Sequence, residues 1–288
     1  MSTDNILRVS DRIGTSDKSF KVDEKNFKTE ILFGYDYYKD KRGISQLGEQ
    51  IIEPQHNKIT LGGILYILKS TFGVPSNKVK IKTLNQILGI NMNGSPNPAA
   101  KSVIGFNIGL GGCGASYADE KIVLDQANIV PNIIPFRVVD SLDELGTTAD
   151  KYWFKKVNSD GKYFCYIKTP ETELEIHSLW KDSTEEGHDG NEVVDNPAES
   201  DRTEGIESFA ELVFRISAKD LREYFELYDE AKYARFNSIG LCVGNIGHDL
   251  DTGDTELCNV IQFSVLNISN EMLHFDKDLT IIYRVFIS

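Results

Sequence analysis

Leu279-Thr-Ile-Ile-Tyr-Arg-Val-Phe-Ile287 alternates without a break: Leu279, Ile281, Tyr283, Val285 and Ile287 point one way and a mixed set points the other. Side chains of an extended chain project to opposite faces in turn, so this period of two predicts a strand with one buried side. Upstream, residues 257–268, 236–243 and 209–216 are further runs rich in β-branched and aromatic residues, separated by polar and glycine-containing breaks. One helix interrupts them. It opens at Ser217, sets Leu221, Tyr224, Phe225 and Tyr228 on one face, and turns Asp220, Glu223, Glu226 and Glu230 toward water.

Before the acidic stretch 181–207, residues 163–168 and 174–180 flank the turn Thr169-Pro-Glu-Thr172 and predict a hairpin. Leu174, Ile176 and Trp180 fall on one side of it, which places Trp180 in the core. Residues 141–288 therefore read as an antiparallel, β-sandwich-like domain with one covering helix and a solvated acidic loop at 181–207. Residues 51–140 are mixed α/β. Thr60 caps a helix carrying Leu61, Ile64, Leu65, Leu68 and Phe72, and Thr83 opens a shorter one that Gly89 ends. Pro131 and Pro135 confine any strand near them to short or edge positions. Residues 1–50 read as an extended N-terminal arm whose end, Ile31-Leu-Phe-Gly-Tyr-Asp-Tyr-Tyr38, forms one strand before the turn at 39–43. The fold class is α+β, mainly antiparallel β, with a smaller mixed N-terminal part.

Composition narrows the function. With 40% hydrophobic and 26% charged residues in 288, the chain has the makeup of a folding, globular protein. A formal net charge of -13 opposes gripping a phosphate backbone, so no sequence-specific nucleic-acid partner is expected. The longest apolar run, 61–68, contains two glycines and falls far short of the roughly 20 residues of a spanning helix, so no membrane partner is expected. Met1-Ser-Thr-Asp-Asn-Ile-Leu-Arg8 lacks the basic start and apolar block of a secretory signal, so export by that route is not expected. Cys113, Cys165, Cys242 and Cys258 form no C-x-x-C pair, and buried free thiols are expected.

Gly109-Leu-Gly-Gly-Cys-Gly114 matches G-x-G-x-x-G, the spacing that lets a backbone approach a pyrophosphate. Its sequel, Ala115-Ser-Tyr-Ala-Asp-Glu-Lys121, is a poor helix, and the βαβ unit the chemistry needs is not written there. A glycine loop at an assembly contact, through Gly109, Gly111, Gly112 and Gly114, is the preferred reading. His56, His177, His188, His248 and His274 are scattered without ligand spacing and read as solvated or singly hydrogen-bonded, His177 on the outward face of its strand. Asp249-Leu-Asp-Thr-Gly-Asp-Thr-Glu256 misses the spacing of a calcium loop and reads as a solvated turn. No catalytic residue, cofactor or metal is expected. The alternatives are a nucleotide-binding enzyme built on Gly109 to Gly114, and a carbohydrate- or partner-binding β-module using Tyr152, Trp153 and Trp180.

The C-terminal third, through Phe209-Ala-Glu-Leu-Val-Phe-Arg-Ile216, Ala234-Arg-Phe-Asn-Ser-Ile-Gly-Leu-Cys-Val-Gly244, Ile261-Gln-Phe-Ser-Val-Leu-Asn-Ile268 and the terminal strand, resembles virion structural proteins of tailed bacteriophages, the neck, tail and baseplate type. Pro135-Phe-Arg-Val-Val139 extends the likeness upstream. The resemblance implies a non-enzymatic subunit of the virion, made in the host cytoplasm. It also implies other virion proteins as partners and a homo-oligomeric ring. Tyr35, Tyr37 and Tyr38 at the end of the arm, with the glycine loop, are the expected assembly contacts.

Overall fold

The computed structural model describes residues 8–9, 20–21, 27–55, 58–72, 83–90, 101–110, 130, 132–180, 193–194, 206–230, 232, 234–248, 255–272 and 277–287. In chain order the elements are β1 (Arg8–Val9), β2 (Phe20–Lys21), β3 (Phe27–Lys39), β4 (Ser45–Gln55), β5 (Lys58–Ile59), α1 (Leu61–Phe72), α2 (Leu84–Leu88), β6 (Ser102–Gly109), β7 (Ile133–Ile134) and β8 (Arg137–Val139). A 3-10 segment, Leu142–Lys151, leads to β9 (Tyr152–Val157), β10 (Tyr163–Lys168), β11 (Glu175–Trp180), β12 (Ile206–Ile216), α3 (Arg222–Glu226), β13 (Arg235–His248), β14 (Thr255–Met272) and β15 (Leu279–Ile287).

Alternation becomes packing directly. Leu279, Ile281 and Tyr283 of β15 enter the core between two sheets, beside Ile31 and Phe33 of β3 and Leu212, Phe214 and Ile216 of β12. These strands belong to a five-stranded sheet ordered β11-β12-β15-β3-β4. Facing it is an eight-stranded sheet, β5-β14-β13-β6-β10-β8, with β7 on β6 and β9 on β10. Both sheets are antiparallel throughout their described pairs. Phe106 sits at the junction, its ring 4.5 Å from Phe214 and 5.0 Å from Phe136, and the Ser264 and Tyr283 hydroxyls meet across the sheets at 2.7 Å. The mainly antiparallel α+β fold expected from the sequence is the fold observed.

The other face of the eight-stranded sheet carries Ile104, Ile167, Cys242 and Val260, packed with Leu84 of α2 and with Phe154. The expected caps hold these helices. Thr60 Oγ1 accepts from the Gly63 amide at 2.9 Å, Thr83 and Gln86 form a capping box, and Gly89 ends α2 at φ 65°. At Gly63, α1 lies so close to β14 that a Cβ would fall 2.1 Å from the Phe263 carbonyl oxygen. Gly63→Val should therefore shift the urea midpoint downward by about 1–3 kcal/mol of stability, the usual cost of overpacking. An unchanged midpoint would mean that α1 is not seated there.

Several expectations need correction. Residues 27–50 are not arm: β3 pairs with β15 from Phe27 to Tyr35, because Ile31 and Phe33 are needed in the core. Arg8–Val9 and Phe20–Lys21 pair with each other. Residues 51–140 do not stand apart from 141–288, since β6 lies between β13 and β10 in one sheet. β10 and β11 do not form a hairpin. The chain crosses between sheets after Lys168, so β11 pairs with β12 and β10 with β9, β8 and β6. Ile176 is accordingly 76% exposed and Trp180 only half-buried, because the eight-stranded sheet does not extend over that edge.

The helix expected from Ser217 shrinks to α3. Ser217 to Asp220 form a turn, Leu221 takes a left-handed conformation at φ 67°, and Tyr228 is 61% exposed. Glu256 is no part of a solvated turn: its carboxylate accepts from the Phe154 and Lys155 amides and fixes Phe154 at φ 62°. The remainder of the acidic stretch, apart from 193–194 and the start of β12, lies outside the described residues, as do 249–254.

Candidate functional site

Two polar clusters and one sheet edge stand out. The first cluster is at the end of the eight-stranded sheet, where α3 docks. Asp220, expected to face water, is fully buried and accepts from Lys168 Nζ at 2.6 Å, the Tyr152 hydroxyl at 2.7 Å and the Ser217 amide at 2.7 Å. Lys168 is itself 5% exposed. Beside it Glu223, also expected in water, receives a two-pronged hydrogen bond from the Arg137 guanidinium at 2.6 and 2.5 Å. Burial first, then the Asp220 carboxylate, push the Tyr152 phenol above its ordinary range, so it remains a protonated donor. Burial works against the charge on Arg137, and the Glu223 pair outweighs it and keeps the guanidinium charged. Every partner in this cluster is committed to another, which makes it a pin holding α3 and the preceding turn to β8, β9 and β10.

The second cluster lies on the outer face of the five-stranded sheet. β3 bends at Asp36, φ 54°, and the tip of the β3–β4 hairpin folds across that face. Tyr37 and Leu47 pack there against Leu32, Val213 and Ile282. The tip is tied by its own turn: Asp40 accepts from the Arg42 and Ile44 amides at 2.8 and 3.2 Å and from Arg42 Nη2 at 2.8 Å. Burial would raise this carboxyl, and the Arg42 hydrogen bonds overcome that and hold it at about 2.

Beneath the tip, Arg284 bonds Glu211 Oε2 at 2.9 Å, Glu30 Oε2 at 3.2 Å and the Ser45 carbonyl, while the Ser45 amide donates to Glu211 Oε1 at 2.9 Å. Lys39 pairs with Glu175. The His177 side chain is 11% exposed. Its Nε2 has no hydrogen-bond partner and lies 3.4 Å from Glu175 Oε2 and 3.9 Å from Glu211 Oε1, with the ring 5.2 Å from that of Phe209. One donor atom from each of Glu175, His177 and Glu211 fits within a 4.8 Å group. The spacing of Glu175 and His177 is readable in the sequence as one face of a strand. Glu211 joins them only because β12 pairs with β11 in the register Glu175↔Glu211.

The expected assembly residues are divided. Tyr38 is 58% exposed on the hairpin. Tyr35 is half-buried against the inter-sheet core, with the Lys277 ammonium 4.7 Å above its ring, and Tyr37 is half-buried in the tip contact. Gly109 is buried at the end of β6, paired with Ser238 and Ile133 in the other sheet. Gly111, Gly112 and Gly114 lie outside the described residues. β6, which leads into the glycine run, is antiparallel to β13, β10 and β7, not part of the parallel βαβ frame of a dinucleotide site. Of the aromatics of the β-module reading, Tyr152 is buried in the Asp220 cluster, and Trp153 is half-buried with the Lys155 ammonium 5.5 Å from its ring.

Cys165 and Cys242 are buried as expected. Burial pushes the Cys165 thiol up to about 12 and raises that of Cys242 as well. Iodoacetamide at pH 8 should leave both unmodified in the native protein and modify both after denaturation, as read by peptide mass spectrometry. Native labelling at the denatured rate would contradict the packing. No described helix is long and apolar enough to cross a membrane. Compared with protein-family models, with curated proteins and with solved structures, the chain finds no match in any of the three.

Proposed function

We propose that this chain is a non-enzymatic structural subunit of a tailed-phage virion, in its neck, tail or baseplate, and that it joins its neighbours by main-chain pairing along β4. The observation that supports this best is the outer edge of β4. The strand is 11 residues long and ends its sheet with no described strand beyond it, and Gly48, Glu49, Gln50, Glu53 and Pro54 along it are exposed. Folded proteins usually shorten, cover or twist away such an edge, because its free N–H and C=O groups pair readily with another chain. Glu53, Pro54 and the irregular register opposite Ile52 blunt the far end of the edge, and the regular stretch 45–50, flanked by exposed Tyr38, is the part that suits addition of a neighbour's strand. The same hairpin is stiffened by the Arg284 cluster, which presents the edge in one conformation. The resemblance of residues 209–287 to virion proteins supplies the particle. Other virion proteins and further copies of this chain are then its partners, and the virion its location.

Sedimentation of the full chain over rising concentration tests the contact. The native chain should form higher-order species. Gln50→Pro, which removes a main-chain donor from β4, should remain a monomer with an unchanged circular dichroism spectrum. A native chain that stays monomeric, or a variant that assembles equally well, would contradict pairing along β4.

A further inference from the structure

We infer that Glu175, His177 and Glu211 form a binding site for a divalent transition-metal ion of the zinc type, at the joint between β11 and the folded hairpin tip. One imidazole and two carboxylates are a donor set that suits Zn²⁺ and its first-row neighbours better than calcium or magnesium, which favour oxygen alone. Donor atoms about 2.0–2.2 Å from a tetrahedral ion stand roughly 3.4 Å from one another. His177 Nε2 lies 3.4 Å from Glu175 Oε2, and 3.9 Å from Glu211 Oε1, which a small side-chain rotation closes.

Three further features support a site over a chance grouping. His177 Nε2 is out of reach of solvent and has no hydrogen-bond partner, and the Glu175 and Glu211 carboxylates are the acidic groups beside it. Glu211, 2% exposed, is oriented by the Arg284 guanidinium and the Ser45 amide, the kind of outer partner that fixes a ligating carboxylate. Glu175, by contrast, is 38% exposed at the side chain, which leaves the ion an approach from solvent and an open position for water.

Charge gives the same result. Glu30, Glu175 and Glu211 are opposed by Arg284 within the cluster, and the Lys39 ammonium, itself 34% exposed at the side chain, rests on Glu175. When Lys39 swings into solvent, two negative charges remain unbalanced, and one divalent ion neutralises them. The competing arrangement keeps Lys39 in place and adds a proton to His177, with no ion.

The two arrangements differ in what Lys39 does, and that makes the test sharp. Chelator-treated full chain is titrated calorimetrically with Zn²⁺, and Co²⁺ is added separately to read coordination from its visible absorption. The native chain should bind Zn²⁺ at this site with a rise in melting temperature. His177→Ala should weaken binding at least about 100-fold, the upper end of what even an outer partner contributes. Glu175→Gln should weaken it too, and because Glu175 is partly exposed this variant serves if His177→Ala does not fold. Lys39→Met, which removes the competing ammonium, should tighten it. Zinc affinity unchanged by His177→Ala and Glu175→Gln, or a native chain that takes up no zinc while nitrogen-15 spectra show His177 carrying both protons, would overturn the site in favour of the protonated ion-pair network.

Discussion

Asp220→Ala should lower the unfolding free energy by roughly 3–5 kcal/mol, the cost of leaving one member of a buried ion pair alone. Three groups lose their acceptor at once: the Lys168 ammonium, the Tyr152 hydroxyl and the Ser217 amide. Lys168 has no route to water, being 5% exposed, so its charge is stranded. For a chain of this size the melting temperature should fall by roughly 6–20 °C. The double variant Lys168→Met with Asp220→Leu should recover the share of that loss due to the stranded Lys168 charge, since an apolar pair of similar volume often replaces a buried ion pair at little cost, and not the share due to the Tyr152 hydroxyl and the Ser217 amide. Equilibrium urea unfolding of Lys168→Met, Asp220→Leu and the double measures the coupling. A single variant with the native midpoint would mean that the pair is open to solvent.

Arg284→Met should be comparably damaging, again about 3–5 kcal/mol, because Glu211 is then left buried without its cation. Its effect has a place as well as a size. Arg284 holds the Ser45 carbonyl and orients the Glu211 carboxylate that accepts from the Ser45 amide, so the hairpin tip loses the first tie outright and the support of the second. Hydrogen exchange should accelerate at the amides of Ile44 and Ser45 well before the strands β12 and β15 lose protection. Retained protection at the tip would mean that Tyr37 and Leu47 hold it without the ion pairs.

These two predictions concern the interactions that the sequence concealed most completely. Local chemistry was legible: Thr60 and Thr83 cap helices in the structure because capping is decided within four residues, and the alternation of residues 279–287 fixed a strand and its buried face. What alternation leaves open is the partner. The runs 163–168 and 174–180 are both strands, yet they enter different sheets, and only the tertiary fold selects β12 for one and β9 for the other. Alternation likewise cannot tell a covered face from a bare one, which is why Ile176 lies largely in solvent although its pattern matched a core strand.

Charged residues misled in the opposite direction. Asp220 and Glu223 looked like the wet side of a helix, and both are held by cations remote in sequence, Lys168 and Arg137. Next to the pinned Asp220, Leu221 takes the left-handed region with its amide on the Phe136 carbonyl, and the helix begins after it. The candidate cation site was half legible. Glu175 and His177 share a strand face at a spacing of two, whereas Glu211 comes from the next strand of the sheet and reaches them through register alone.

The proposal that this chain is a virion subunit is tested most directly by peptide mass spectrometry of density-banded particles from lysed cultures of the source. It predicts this chain in intact particles at a fixed, ring-like copy number relative to the major capsid protein. Absence from intact particles, with the chain abundant in the soluble lysate, would contradict it.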